Sequence, residues 1–245
     1  LLRKSALDET QRSYVNTIIE SADALLSSLN EILDFSKMEV GKLSLEFDNF
    51  SLRHVVESVV RLFHAQAEGK RLVLTSTVES DVPDVLLGDA LRLRQILNNL
   101  VSNAIKFTES GEVSLHVEHA RKQDKVCWLM FTVTDTGIGI PDDAIDQLFD
   151  PFSQGALSNT RVFGGTGLGL NIAQRLSLAM GGSIHVNSEA GRGSTFTVRL
   201  PFQCSALTSP LQAPVTEGGQ AIANAVKDWL AGKVFLVADD NLINL

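Results

Sequence analysis

Three glycine-bearing stretches follow one another along this chain, and together they constrain its fold more than any other feature. They are Asp135-Thr-Gly-Ile-Gly-Ile-Pro141, Gly164-Gly-Thr-Gly-Leu-Gly-Leu170 and Gly191-Arg-Gly-Ser-Thr195. One glycine loop marks many kinds of turn, so no single stretch is informative by itself. In combination they offer close backbone approach, exposed backbone amides and a partly buried carboxylate, which are the parts of a nucleotide site.

A predicted helix from about Asp89 to Phe107 precedes these stretches and has a polar face. At 100° per residue, four polar residues share a narrow arc, whereas apolar residues occupy the neighbouring arc. A solvent-facing stripe would explain this pattern, but amides in place of salt-bridging pairs favour a ligand-facing surface. An asparagine oxygen suits Mg²⁺ held jointly with phosphate oxygens, and a lysine neutralises phosphate charge. The four polar residues are Gln95, Asn99, Asn103 and Lys106.

Asp135 ends an apolar strand and begins a glycine turn. A carboxylate there is only partly solvated and needs a hydrogen-bond donor, which an adenine amino group would supply. Gly137 and Gly139 would let the backbone approach a flat base. An ordinary Asp-Thr-Gly turn remains the alternative interpretation.

The run from Gly164 to Leu170 leads into a predicted helix. Bare backbone amides at a helix N-terminus bind anions. The run is neither a dinucleotide fingerprint nor a P-loop, because it lacks the preceding strand and the Gly-Lys-Ser/Thr ending. A flexible hinge is the alternative, but Leu168 and Leu170 between the glycines indicate packing rather than a free hinge.

Composition excludes several classes of protein. The net charge of −8 and the pI near 5.1 argue against nucleic-acid binding and against docking on an anionic membrane. Cys127 and Cys204 are too few for a disulfide framework, and Cys127 lies in an apolar run typical of a buried thiol. No apolar run reaches transmembrane length and no signal peptide opens the sequence, so we expect this fragment to be cytoplasmic and not embedded in a membrane. It could still be the cytoplasmic portion of a membrane-anchored protein.

The periodicity predicts a long N-terminal helix followed by mixed helices and strands. The helix begins at Asp8, with Gln11 completing a capping box, and runs to Gly41 with one apolar stripe that needs a partner helix or subunit. The mixed order that follows predicts a two-layer α/β sandwich. We predict helices from Ser51 to Ala67, 89 to 107, 144 to 149 and 168 to 180, and strands at 43–47, 72–78, 113–117, 126–133, 183–187 and 195–200.

These motifs together resemble the catalytic domain of bacterial histidine protein kinases, whose ATPase superfamily also includes DNA gyrase and the repair protein MutL. The resemblance covers about Leu7 to Pro201, and it implies a Bergerat-type ATP-binding fold preceded by a dimerisation helix. Residues 33–42 are similar to the junction between dimerisation helix and catalytic domain in hybrid kinases. The motifs are Asn99-Leu-Val-Ser-Asn-Ala-Ile-Lys-Phe-Thr108, Asp135–Pro141, Phe149-Asp-Pro-Phe152, Gly164–Leu170 and Gly191–Thr195.

The resemblance also implies a domain organisation. Residues 1–42 would belong to the dimerisation hairpin, 43–202 to the ATP-binding domain and 203–232 to a linker. Residues 233–245 look like the first strand of a receiver domain, in which Asp239 and Asp240 would help to bind Mg²⁺. A lone strand cannot fold as a receiver, so we expect these two carboxylates to be inactive in this fragment.

The resemblance implies a role for each matching residue. Asn103 would chelate Mg²⁺, Asn99 would support that site, and Lys106 and Arg161 would contact phosphates. Asp135 would bind the adenine amine. Thr195 would lie near Asp135. Phe152 would flank the lid, which is the segment that carries Arg161. The glycine run would wrap the phosphates through Gly165, Gly167, Leu168 and Gly169.

Two departures from the patterns of these families bear on the reaction. Gyrase-like ATPases have a water-activating glutamate where this chain has Asn99, so we expect slow hydrolysis and a phosphoryl group kept for a protein acceptor. The acceptor histidine, which the family places before an acidic residue on the preceding helix, is not among His54, His64, His116, His119 and His185. We therefore do not expect this fragment to autophosphorylate by itself.

The first hypothesis is the ATP-binding core of a hybrid sensor histidine kinase, with ATP and Mg²⁺ as cofactors. Its partners would be a second copy through the N-terminal helix, a receiver domain in cis, and a downstream response regulator or phosphotransfer protein. The alternative is a non-catalytic regulatory module that acts by dimerising with another kinase. A gyrase-type ATPase is disfavoured by Asn99 and by the long first helix.

Overall fold

The computed structural model describes residues 8–39, 44–123, 126–153 and 167–204. The chain divides into two compact units, Leu1–Ala206 and Leu207–Leu245, and the second lies outside the described residues. Arg161, Gly165, the predicted receiver strand and almost all of the predicted linker also lie outside them. The domain boundaries drawn from the resemblance stay predictions.

The first helix, α1 (Glu9–Glu39), begins with the predicted capping box. The Gln11 amide donates to the Asp8 carboxylate at 2.8 Å, and the Asp8 amide donates to Gln11 Oε1 at 3.2 Å. Two of the free amides at the helix start are thereby satisfied. Large apolar side chains on the helix remain half or more exposed, including Ile18 (64%), Leu25 (70%), Leu26 (58%), Leu29 (51%) and Ile32 (52%).

The remaining elements are a mixture of strands and helices, as the periodicity predicted. The helices are α2 (Leu52–Gly69), α3 (Ala90–Phe107), the short α4 (Asp142–Ile145) and α5 (Gly169–Ala179). The strands are β1 (Asp48–Ser51), β2 (Val73–Val78), β3 (Val85–Gly88), β4 (Glu112–Gln123), β5 (Val126–Asp135), β6 (Ser183–Glu189) and β7 (Gly193–Cys204).

The seven strands form one sheet in the order β1-β3-β7-β5-β4-β2, and β6 also pairs with β7. Among the strands of the described residues, only β2 and β4 pair in parallel. Helices α2, α3 and α5 pack on the sheet, so the predicted two-layer α/β sandwich is confirmed. The core lies between the layers, where Leu97, Leu100, Phe131, Val133 and Ile172 are at most 1% exposed. Strand β5 lies in the middle of the sheet, and the predicted burial of Cys127 is confirmed.

Two expectations about strands were wrong. A strand was predicted over residues 43–47, but residues 44–47 are not in a strand, and the first strand begins at Asp48. The short strand β3 was not predicted at all. It forms because Ser51 lies opposite Val85 in the antiparallel β1–β3 pair, and the Asp84 carboxylate accepts hydrogen bonds from the Ser51 hydroxyl and the Arg53 amide. Four residues are too few for periodicity to reveal such a strand.

Candidate nucleotide-binding site

Helix α3 presents its polar face beside the core. Asp89 caps the helix by accepting a hydrogen bond from the Arg92 amide. The apolar arc is buried, whereas Asn99, Asn103 and Lys106 are partly exposed, as their spacing predicted. Helix α3 therefore has one apolar face that packs on the core and one polar face that is accessible.

The asparagines on this face differ in their contacts. The Asn99 amide nitrogen donates to the Gly169 carbonyl at 2.9 Å, so Asn99 joins α3 to the first residue of α5. Within the described ranges, the Asn103 side chain makes no hydrogen bond, which leaves its oxygen available to a ligand. Lys106 Nζ lies 5.0 Å from the centre of the Phe107 ring. Asn99, Asn103 and Lys106 thus lie on the polar face of α3, and Asn99 joins that face to the start of α5.

Asp135 lies at the end of β5 and is only 6% exposed. Burial raises the pKa of its carboxyl group above the ordinary value of 3.8, and hydrogen bonds from the backbone amides of Gly137 and Ser194 oppose that rise. The Gly137 amide lies 2.8 Å from Asp135 Oδ1. A buried carboxylate with two backbone donors still has acceptor capacity, which an exocyclic amine would fill.

Gly137 packs tightly between α3 and the Asp135 carboxylate. A Cβ at this position would lie 2.5 Å from the Phe107 carbonyl oxygen, 2.8 Å from Asp135 Oδ1 and 2.9 Å from Thr108 Oγ1. The Ile138 amide also donates to the Phe107 carbonyl at 3.3 Å. Glycine is required here because only the absence of a side chain lets the carboxylate turn come this close to the end of α3.

The other side of this loop contacts the β6–β7 turn. Gly139 has a φ of +66°, and a Cβ there would lie 2.0 Å from the Glu189 carbonyl oxygen. The Gly191 amide donates to the Ile138 carbonyl at 2.7 Å, and the Ile140 amide donates to Ser188 Oγ at 2.8 Å. The first and third glycine stretches are therefore in direct contact.

The second glycine stretch is described from Gly167 onward. A Cβ on Gly167 would lie 2.9 Å from the Phe152 carbonyl carbon, so the residues on the two sides of segment 154–166 meet in space. Leu168 is fully buried, as its predicted packing role requires. Gly169 opens α5 and is held by Asn99.

Phe152 connects this region to the first helix. It is 62% exposed and has a φ of +62°, an uncommon conformation for a residue with a side chain. Its ring meets the ring of Phe35 edge-on at 5.9 Å, and the Arg175 guanidinium lies 5.0 Å from the centre of the Phe35 ring. The C-terminal part of α1 thereby touches the residue that was predicted to flank the lid.

The expected place of Thr195 beside Asp135 needs a correction. In the β5–β7 register, Ser194 lies opposite Asp135, and Thr195 lies opposite Thr134. The two threonine hydroxyls are 3.3 Å apart on the other face of the sheet, because side chains alternate between faces along a strand. Ser194 is 7% exposed, and its hydroxyl lies 2.9 Å from that of Ser188. Ser194 is therefore the hydroxyl residue on the face of the sheet that carries Asp135.

Sequence reasoning also missed Asn171 in the first turn of α5. Its side chain is 5% exposed and donates from Nδ2 to the Phe149 carbonyl at 2.7 Å. It thereby fixes the Phe149–Phe152 segment to the helix that follows the second glycine stretch. The available signal was an asparagine between Leu170 and Ile172 in the first turn of the predicted helix.

The family of the chain follows from comparison with known proteins. Residues 88–203 match the sequence model of the family described as histidine kinase-, DNA gyrase B- and HSP90-like ATPase. The chain is 47% identical over 196 residues to the signal transduction histidine-protein kinase BarA of Escherichia coli K12, a match that covers 80% of this chain and 21% of BarA. The chain carries a histidine kinase ATPase domain.

Other relatives agree with this membership. The sensor protein GacS of Pseudomonas syringae pv. syringae is 48% identical over 200 residues, covering 82% of this chain and 22% of GacS. Full-length ShkA, solved in complex with AMPPNP, superposes with a TM-score of 0.69 at 36% identity over 83% of this chain and 41% of that one. The chain thus spans about a fifth of the length of these curated relatives.

The described residues would supply only part of the coordination shell of a magnesium ion. In the described part of the chain, no group of three His, Cys, Asp or Glu side chains is placed to hold a metal. The neutral oxygen of Asn103 is a suitable Mg²⁺ ligand, but one amide does not complete a coordination shell. A magnesium ion here would need phosphate oxygens and water as its other ligands.

The described ranges also contain no helix with the length and apolar character needed to cross a membrane.

Proposed function

We propose that this histidine kinase domain binds Mg·ATP and transfers its γ-phosphoryl group to a histidine on a dimerisation helix outside this fragment. The observation that carries the proposal is that α3 contacts both the first and the second glycine stretches. Asn99 bonds to Gly169 at 2.9 Å, and Phe107 bonds to Ile138 at 3.3 Å. A nucleotide placed between these contacts would have its base near Asp135 and its phosphates near the polar face of α3.

Each residue then acts by binding or orienting the nucleotide. Asp135 would accept from the adenine amine, while Asn103 and Lys106 would hold the metal and the phosphate charge. Gly167 and Gly169, with Arg161 and Gly165 of the preceding segment, would surround the phosphates. Bound Mg²⁺ would neutralise charge on the β- and γ-phosphates, and positioning supplies most of the catalysis in phosphoryl transfer.

The transfer breaks the bond between the γ-phosphorus and the β–γ bridging oxygen and forms a nitrogen–phosphorus bond to the histidine. ADP leaves, and the imidazole loses its proton. Asn99 occupies the position from which a carboxylate would activate water, so hydrolysis should be slow. The described histidines lie on α2, β4 and β6, and none of them lies on α3, on the loop after β5 or at the start of α5.

We further propose that two copies associate through α1, because its stripe from Ile18 to Leu33 is apolar and exposed. Helices with such stripes gain stability by packing against each other. A structure of the kinase ThkA with the response regulator TrrA shares the fold at a TM-score of 0.55 and 24% identity. By analogy, we propose a receiver domain in cis and a response regulator or phosphotransfer protein as partners, in the cytoplasm.

Calorimetric titration of the chain with a non-hydrolysable ATP analogue, with and without Mg²⁺, tests the first step. We expect binding that strengthens with Mg²⁺ and discriminates against GTP. The second step needs an acceptor, which the histidine-bearing helix of a related hybrid kinase would supply when fused ahead of Leu1. Acid-labile, base-stable phosphorylation of that histidine is expected, and tight nucleotide binding without any phosphorylation would favour the regulatory module instead.

A further inference from the structure

Lys70 follows helix α2, and its side chain contacts the C-terminal end of α3. Helix α3 carries the predicted metal and phosphate ligands. The ammonium group of Lys70 donates to the carbonyl oxygens of Ile105 at 2.7 Å, Lys106 at 2.9 Å and Thr108 at 3.3 Å. The last four carbonyls of a helix have no partner within the helix, and Lys70 satisfies two of them. Its positive charge also faces the negative end of the helix dipole.

The end of α2 is shaped so that Lys70 reaches this position. The Leu72 amide donates to the Ala67 carbonyl and the Arg71 amide to the Glu68 carbonyl, both at 2.9 Å, which is the hydrogen-bond pattern of a Schellman motif. Arg71 takes the left-handed position, with a φ of +58°, where glycine is usual. This reversal directs the chain away from α2 and leaves Lys70, the C-cap residue, facing α3.

The other side of the same helix end contacts the loop that holds Asp135. The Phe107 carbonyl accepts from the Ile138 amide at 3.3 Å, and Gly137 packs against that carbonyl. The last turn of α3 is therefore held between Lys70 on one side and the carboxylate turn on the other. A shift of this turn would move Lys106 and Asp135 relative to each other.

We propose that Lys70 is a positioning residue for nucleotide binding. It sets the last turn of α3, and through that backbone it fixes the distance between the phosphate-facing and the adenine-facing sides of the site. This inference rests on the proposed function, because it concerns the same Mg·ATP site. In this role Lys70 does not touch the nucleotide; it acts through the carbonyls that it holds.

The test is Lys70→Met in the full 245-residue chain, with Mg·ATP as the probe in calorimetric titration. Methionine keeps much of the length and apolar stem of lysine but removes the charge and the donors. We expect affinity for Mg·ATP to fall about tenfold, since small displacements of positioned groups have large effects. Lys70→Arg, which keeps charge and donors, should recover most of that affinity; an arginine variant as weak as the methionine variant would contradict the proposal.

Arg53→Met is the matched control. Arg53 also donates to two backbone carbonyls, those of Val78 at 3.3 Å and Glu79 at 3.1 Å, but it lies at the start of α2. Both methionine variants should lower the melting temperature, whereas only the Lys70 variant should lose Mg·ATP affinity. Lys70→Gln replaces Lys70→Met in this comparison if the methionine variant does not fold.

Unchanged Mg·ATP affinity in the folded Lys70 variant, beside a wild type that binds, would overturn the positioning role alone. An equal loss of affinity in the Arg53 variant would also overturn it, because general destabilisation would then explain both results. A wild-type chain that does not bind Mg·ATP would refute the proposed function and the inference together.

Discussion

Replacing Asp135 with asparagine separates two consequences of placing a carboxylate inside the nucleotide site. The two side chains have nearly the same shape. In the wild type the Gly137 amide donates to Asp135 Oδ1 at 2.8 Å, and an asparagine oxygen can accept the same hydrogen bond. The fold should therefore tolerate the change. What is lost is the negative charge, together with one of the two acceptor oxygens, on a side chain that is only 6% exposed.

The loss of charge should weaken ATP binding. A hydrogen bond to a charged group contributes about 1.5–3 kcal/mol, so the variant should bind ATP roughly ten- to a hundredfold less tightly. Calorimetric titration with ATP and with GTP measures this change and the accompanying loss of discrimination between the bases. Asp143→Asn, at an exposed position in the first turn of α4, is the control and should leave both affinities unchanged.

The same change should stabilise the protein without ligand. Burial raises the pKa of Asp135 in the folded state above its unfolded value of 3.8, so between those two values the folded state holds more protons than the unfolded one. The contribution of Asp135 to stability therefore falls as the pH rises through that window and stays low above it. Asparagine has no such titration. The variant should be more stable than the wild type at neutral pH, and the difference should shrink as the pH falls through the window.

Denaturant unfolding across this pH range measures the stability difference. The reasoning would be refuted by a variant that is less stable than the wild type at neutral pH. It would also be refuted by a variant that binds ATP and GTP as the wild type does, since the carboxylate would then not be the contact to the base.

Three further changes test separate parts of the structure. Asn103→Ala should remove the strengthening of ATP binding by Mg²⁺ in calorimetry, and a variant that still responds to Mg²⁺ would exclude Asn103 as the metal ligand. Gly139→Ala should destabilise the chain by about 2–4 kcal/mol in urea unfolding, because a left-handed φ and a Cβ 2.0 Å from the Glu189 carbonyl are both unfavourable. Arg71→Gly should instead stabilise it by about 0.5–1 kcal/mol, since glycine relieves the left-handed strain at some cost in unfolded-state entropy; lower stability would show that the arginine side chain makes a compensating contact.

Local sequence was sufficient wherever a feature depends on residues a few positions apart. The capping box at Asp8 and Gln11 needs only four consecutive residues. Ser51, which caps α2, accepts a hydrogen bond from the backbone amide three residues later. The division of α3 into a buried stripe and a polar face follows from helical geometry alone. The glycine stretches likewise marked the loops around Asp135 because close approach and positive φ restrict the residue type.

Only the tertiary structure decided which residues from distant parts of the chain meet. Ser194, and not Thr195, lies opposite Asp135 because the β5–β7 register fixes the pairing and a shift of one residue reverses the face of every side chain. Lys70 reaches the end of α3 across 35 positions, and Asn171 reaches Phe149 across 22. No local preference for helix, strand or turn specifies such pairs, because they arise when the two layers pack and each buried polar group must find a partner.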